Sequence, residues 1–272
     1  MSRSAFATLV LLIVSVAHSA EPAVKRVLLV GQGPDGHPPG THAFMPGLEV
    51  LLRCLERQPG LAVRLVNGDE PWSDGPELLA QCDAVVFYLS QGAQWFRAAP
   101  ARLAALRELA ERKGGLVAIH WAVGAKDAEH IDDCLRLLGG CHGGPDRKYT
   151  KTTTELRMAE AALPITRGIR DFTVYDEFYY QLKFVSPSGS VQPVLQATLD
   201  GNAETVCWAW SRPDGGRSFG FSGAHFHGNW QLREYRRLIV QAVLWSLDAP
   251  IPSDGVDVEL RPGDWESGWT QP

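Results

Sequence analysis

The sequence predicts an α/β fold, doubly wound about a mostly parallel sheet and extended by a β-hairpin portion. Three observations carry that prediction. Short continuous apolar runs rich in Val, Ile and Leu alternate with segments of helical periodicity, as strands covered on both faces require. Glycines close several of these runs and periods. Beyond about residue 150 the pattern changes to successive strands joined by turn signals.

The elements follow in order. Val27-Leu28-Leu29-Val30 ends in Gly31-Gln32-Gly33 and reads as a buried parallel strand. A loop over 34–44 leads to a helix over 45–57, with Leu48, Leu51, Leu52 and Leu55 on one face. Pro59-Gly60 stops it. A second strand over 62–66 and a short helix over 76–81 precede a third strand over 84–89. The clearest helix spans 100–113, with Gly114-Gly115 as its stop. A strand over 116–119 runs straight into His120-Trp121, and 131–138 is helical. Strands are then expected over 150–158, 191–198, 205–210 and 217–221, with Pro213-Asp214-Gly215-Gly216 as a turn. A helix over 231–247 closes the domain.

The length of 272 residues fits one large domain, and 45% hydrophobic with 21% charged residues supplies a sizeable core. A net charge of −5 argues against nucleic acid as partner, because phosphate binding needs a concentrated basic face. Nine tryptophans suit a surface that stacks on sugars. Arg3, the apolar run 5–16 and Ala17-His18-Ser19-Ala20 read as a signal peptide over 1–20, with cleavage after Ala17 or Ala20. The expectation is therefore an exported, periplasmic or secreted protein with no membrane insertion after cleavage. One domain would span 24–248, and 249–272 would be an irregular tail. Five cysteines without a C-x-x-C pair exclude a thiolate zinc knuckle, and one or two disulfides remain open.

Ligands of open α/β sheets bind outside the carboxyl ends of the strands. Six histidines fall in predicted loops: His37, His42, His120, His142, His225 and His227. His120 ends a buried strand. In Gly223-Ala224-His225-Phe226-His227-Gly228 an extended chain would put both imidazoles on one face. Asp176-Glu177 lies among aromatics; if extended, only one carboxylate faces the cleft, and Glu177 would polarise a histidine or act as general base.

Several of these segments together resemble the ThuA-like (trehalose-utilisation) family over about residues 25–248. They are 27–31 with the loop that follows, Gly114 through His120, Leu138-Gly139-Gly140, Asp176-Glu177-Phe178-Tyr179, and 221–225 before the last helix. The resemblance implies a flavodoxin-like, class I glutamine-amidotransferase-like fold and a role in breaking down trehalose-type or 3-keto-disaccharides. Glutamine hydrolysis is not expected, because His120-Trp121-Ala122 stands where the amidotransferases carry their nucleophilic Cys.

The resulting expectation is a carbohydrate-acting hydrolase or lyase with His120, Glu177 and His225 as its catalytic set. Trp121, Tyr179, His37 and His142 would contact substrate. His120, His225 and His227 are candidate ligands of a divalent metal, zinc first by ligand type. Two alternatives stand beside it. One is a non-catalytic sugar-binding protein. The other is a serine hydrolase using Ser222, since Gly220-Phe221-Ser222-Gly223-Ala224 nearly spells G-x-S-x-G. Oligomer formation is left open.

Overall fold

The computed structural model describes residues 23–159, 163–186 and 190–265; the expected signal peptide lies outside them. In chain order the elements are β1 (Lys25–Gly31), α1 (Phe44–Leu55), β2 (Leu61–Asn67), α2 (Gly75–Gln81), β3 (Ala84–Tyr88) and α3 (Gly92–Ala98). Next come α4 (Pro100–Glu111), β4 (Gly115–Ile119), β5 (Gly124–Ala125), α5 (Ile131–Leu138), β6 (Gly140–Gly143) and β7 (Lys148–Met158). Then follow β8 (Phe172–Tyr180), β9 (Lys183–Phe184), β10 (Val191–Leu199), β11 (Asn202–Ser211), β12 (Arg217–Phe221) and α6 (Arg233–Ser246).

Nine strands form one mixed sheet in the order β2-β1-β3-β4-β12-β11-β10-β7-β8. The first five are parallel; β12 lies parallel to β4 on one edge and antiparallel to β11 on the other. The hairpin portion is thus not an appendage but the second half of the same sheet. Both faces are covered, which is why the parallel strands read as unbroken apolar runs. Leu29, Val86, Val117 and Ile119 point into a core shared with α1 and α6. Val30, Val85, Phe87 and Ala118 point into the opposite core with α2 to α5.

Three parts of the fold depart from the sequence expectation. The first is α3 (Gly92–Ala98), a helix where none is expected. The segment 172–180 forms a full strand, β8, although its mixture of acids and aromatics shows no clean alternation. His142 sits on a short strand, β6, rather than in a loop. That strand pairs with β5 and β9 in a small separate sheet.

The β7–β8 ribbon meets β10 through only two residue pairs, Leu195 with Met158 and Gln196 with Arg157. So lightly tethered, β8 is last in strand order yet lies over the carboxyl ends of β4 and β12, where its carboxylates meet residues 120 and 224–226. The segment after α6 carries no helix or strand among the described residues, but Ile251, Val256 and Val258 are buried. Arg236 and Arg237 of α6 donate to the Val258 and Val256 carbonyls and hold it down. No helix among the described residues is long and apolar enough to cross a membrane.

Candidate functional site

Three chain segments converge at the carboxyl ends of the parallel strands, each through a residue in the left-handed region. His120 follows β4 with φ 55°, His42 has φ 49°, and Ala224 beside His225 has φ 77°. Non-glycine residues adopt this conformation at a cost and persist there only when their surroundings hold them. The holding contacts are visible. The buried Asp176 carboxylate accepts the backbone N–H of Ala224 at 2.7 Å and of His225 at 3.0 Å, and the Tyr235 hydroxyl as well. The Tyr88 hydroxyl donates to the Ala224 carbonyl. The 40–42 loop is laced to the same turn, His42 N–H donating to the His225 carbonyl at 3.0 Å and His227 N–H to that of Gly40 at 2.8 Å.

These supports bring four side chains to one point. His42, His120, His225 and Glu177 are all buried, and one donor atom from each lies within 4.8 Å of the others. His42 Nε2 is 3.0 Å from His120 Nε2, which is 3.2 Å from His225 Nδ1. Glu177 Oε1 stands further off, at 3.9 Å from His120 Nε2 and 3.7 Å from His225 Nδ1.

The outer partners decide which ring nitrogens carry protons. His120 Nδ1 is 3.0 Å from the Ser222 carbonyl, and a carbonyl can only accept, so Nδ1 is the N–H. His42 Nδ1 donates to Asp35 Oδ2 at 2.6 Å by the same logic. With both rings neutral, two Nε2 lone pairs face each other at 3.0 Å. Only a proton or a cation between them makes that contact favourable. Burial, reinforced by the neighbouring imidazoles, holds His120 well below the ordinary histidine value and so disfavours the proton. Burial lowers His42 too, against the pull of Asp35, and takes His225 down to about 3. Three neutral imidazoles with a carboxylate beside them form the donor set of a divalent transition metal. Asp35 and the Ser222 carbonyl supply the outer-shell hydrogen bonds that orient metal-ligating histidines.

Glu177 is raised by burial, opposed by Lys151, whose Nζ is 3.6 Å from Oε2. The Tyr179 hydroxyl lies 3.2 Å from His120 Nε2, and its ring is stacked between His120 and His142. Burial and the nearby carboxylates push Tyr179 well above the usual phenol value, so it remains a proton donor. A cavity of about 310 Å³ opens onto this cluster, walled by Trp121, His142, Tyr149, Lys126, Arg147 and Lys151. His37 lines it as well, stacked on His42 at 3.6 Å and bonded to Asp35.

The structure therefore gathers Glu177, Trp121, Tyr179, His37 and His142 around one cavity, and places His120 and His225 in the buried cluster that His42 and Glu177 connect to it. It corrects two expectations. His227 is turned away: the chain bends into a 3-10 turn at that residue, and its ring stacks on Trp265 at 4.5 Å instead of joining the metal-type cluster. Ser222 Oγ is buried with no hydrogen-bond partner, and His120 engages the Ser222 carbonyl instead, so no base is placed to activate the hydroxyl. All five cysteines are buried and unpaired with one another. The residue that sequence reasoning left out of the site is His42. Its signal was present in the Asp35-x-His37 stretch that follows β1, but nothing local shows that this loop docks on residues 225–227.

A sequence profile of the ThuA family, described as trehalose utilisation, matches residues 26–246. This chain belongs to the ThuA family. Solved structures agree with that assignment at the level of the fold. A ThuA-like protein from Parabacteroides merdae is 16% identical with a TM-score of 0.63, covering 83% of this chain and 90% of its own. One from Bacteroides uniformis is 15% identical with a TM-score of 0.63, covering 85% and 94%. A GH42 β-galactosidase from G. stearothermophilus, 12% identical with a TM-score of 0.52, shares the fold over 84% of this ThuA chain and 30% of its own length. No curated protein matches the ThuA chain in sequence.

Proposed function

We propose that this ThuA protein is a metal-dependent enzyme acting on carbohydrate, with His42, His120 and His225 as metal ligands and Glu177 as acid/base. The observation that carries the reading is the pair of Nε2 atoms facing each other at 3.0 Å, in a pocket whose burial disfavours the proton that could otherwise bridge them. Three ligands with an open fourth position are the pattern of catalytic rather than structural sites. Glu177 Oε1, at 3.9 and 3.7 Å from His120 and His225, would be the acid/base beside such a cation. A divalent cation held there would supply Lewis-acid polarisation of a substrate oxygen.

The chain's own groups do the rest. Glu177, kept in place by Lys151, takes or returns a proton. Tyr179 donates a hydrogen bond to a developing oxyanion. Trp121 offers a ring face for sugar stacking. The family description supports carbohydrate as the substrate class, and the leader composition supports export as a signal-peptide-bearing protein. The strand order 2-1-3-4 with β12 in fifth place, and helices on both faces, supports a flavodoxin-like, doubly wound reading of the parallel half.

Metal analysis of the purified protein tests the proposal. One equivalent of a transition metal is expected, lost in both His42→Ala and His120→Ala while their circular dichroism spectra stay native. A wild-type protein that neither carries nor takes up zinc or manganese in calorimetric titration would overturn it. Turnover in a screen of oxidised and unoxidised sugars separates an enzyme from a binding protein on the same fold.

A further inference from the structure

We infer that the cavity selects an anionic, monosaccharide-sized ligand, a sugar acid or sugar phosphate, through Lys126 and Arg147; this rests on the carbohydrate-acting reading of the same site. The volume of about 310 Å³ suits one sugar ring. Its lining is cationic. The chain as a whole carries −5, yet the cavity is lined by three cationic side chains, Lys126, Arg147 and Lys151, against one carboxylate, Glu177.

Lys151 is committed to Glu177 at 3.6 Å, across directly paired positions of β7 and β8. The other two cations are not so engaged. Among the described residues neither Lys126 nor Arg147 makes an ion pair. Lys126 rests 5.6 Å from the Trp121 ring, and Arg147 donates to the Gly144 carbonyl at 3.2 Å. The nearest acid on the Arg147 loop, Asp146, is already taken by Lys183 at 2.9 Å.

Uncommitted cations in a cleft walled by aromatic rings attract an anion more strongly than the same groups on open surface. They come from two neighbouring segments, the one after β5 and the one before β7, tied by the Gly144 N–H to Lys126 carbonyl bond at 3.2 Å, so both reach the same cavity. A ligand anchored by its carboxylate or phosphate on Lys126 and Arg147, with its ring over Trp121, would turn its remaining oxygens toward Glu177 and the histidine cluster. A guanidinium suits either anion, since both accept paired N–H donors.

Calorimetric titration of the zinc-loaded protein with D-gluconate, D-glucose 6-phosphate and D-glucose provides the test. At least one acid is expected to bind about tenfold or more tighter than glucose, in keeping with one or two charge-assisted hydrogen bonds. Which acid prevails decides between carboxylate and phosphate. In Lys126→Ala/Arg147→Ala that preference should fall about tenfold while zinc content stays at the wild-type level. Equal affinity for glucose and the acids, no binding of either acid, or an unchanged preference in the double variant overturns the inference. Zinc content, read in the same samples, reports separately on the metal site.

Discussion

The two ends of the parallel strands treat buried nitrogens in opposite ways. At the amino ends every buried cation meets acceptors. Arg212, nearly inaccessible, is paired with Asp214 at 3.0 Å and also donates to Ser218 Oγ and to the carbonyls of Gly114 and Arg217. Arg217 reaches Asp248 at 2.8 Å, and Arg26 meets Asp83. A cavity of about 300 Å³ lies there too, where Arg217 pairs with Asp248 and Arg112 donates to the Leu79 and Cys82 carbonyls, with Lys25, Lys113 and Asp83 also in its wall. At the carboxyl ends nitrogen meets nitrogen, His42 Nε2 against His120 Nε2 at 3.0 Å. Matched charges hold a structure; unmatched donors, kept in place by strain borne elsewhere, make a site.

Adjacent residues on β8 repeat the contrast within one dipeptide. Asp176 is filled with hydrogen bonds from backbone N–H groups and Tyr235, which oppose the upward push of its burial. Glu177, one residue on and facing the other way, keeps an oxygen directed at the histidines. One carboxylate builds the turn and its neighbour serves the cavity.

Substitutions that touch one end only would break or sharpen this comparison. The largest effect is expected for Glu177→Gln: turnover should fall by about 10²–10⁴-fold, the usual worth of a placed acid/base, with metal retained. Loss of metal instead would move Glu177 into the ligand set. Arg212→Ala should act at the other end alone, costing about 3 kcal/mol in urea denaturation because several buried acceptors lose their donor, with metal content unchanged. If metal were lost as well, the two ends would not be independent. The smallest effect belongs to Asp35→Asn, which keeps the shape but weakens the hold on His42. Metal affinity is expected to drop about 10–100-fold in a competition titration, with a stability change under about 1 kcal/mol.

Most of the parallel half was legible in the sequence, because strands buried on both faces announce themselves as unbroken apolar runs such as 27–30 and 116–119. The same reasoning found His120, since a polar residue that ends such a run has to face the strand ends. It also singled out Glu177 and the 223–228 stretch. It failed on β8, where burial on both faces by acids and aromatics erases the period-two pattern. It also failed on His227, because extension past residue 226 was assumed and the chain turns there.

By itself, then, the sequence determined the α/β alternation, the family and the segments that carry the chemistry. Those follow from local periodicity and from residue types at strand ends. Only the tertiary structure decided that His42 joins His120 and His225, that His227 does not, and that Glu177 rather than Asp176 faces them. Each of those outcomes depends on contacts between segments far apart in the chain: the 40–42 loop on residues 225–227, and β8 over the ends of β4 and β12. For two of the three histidines the ring is oriented by the neighbour that occupies its other nitrogen, and that neighbour is distant in sequence for His120 and a loop closure away for His42.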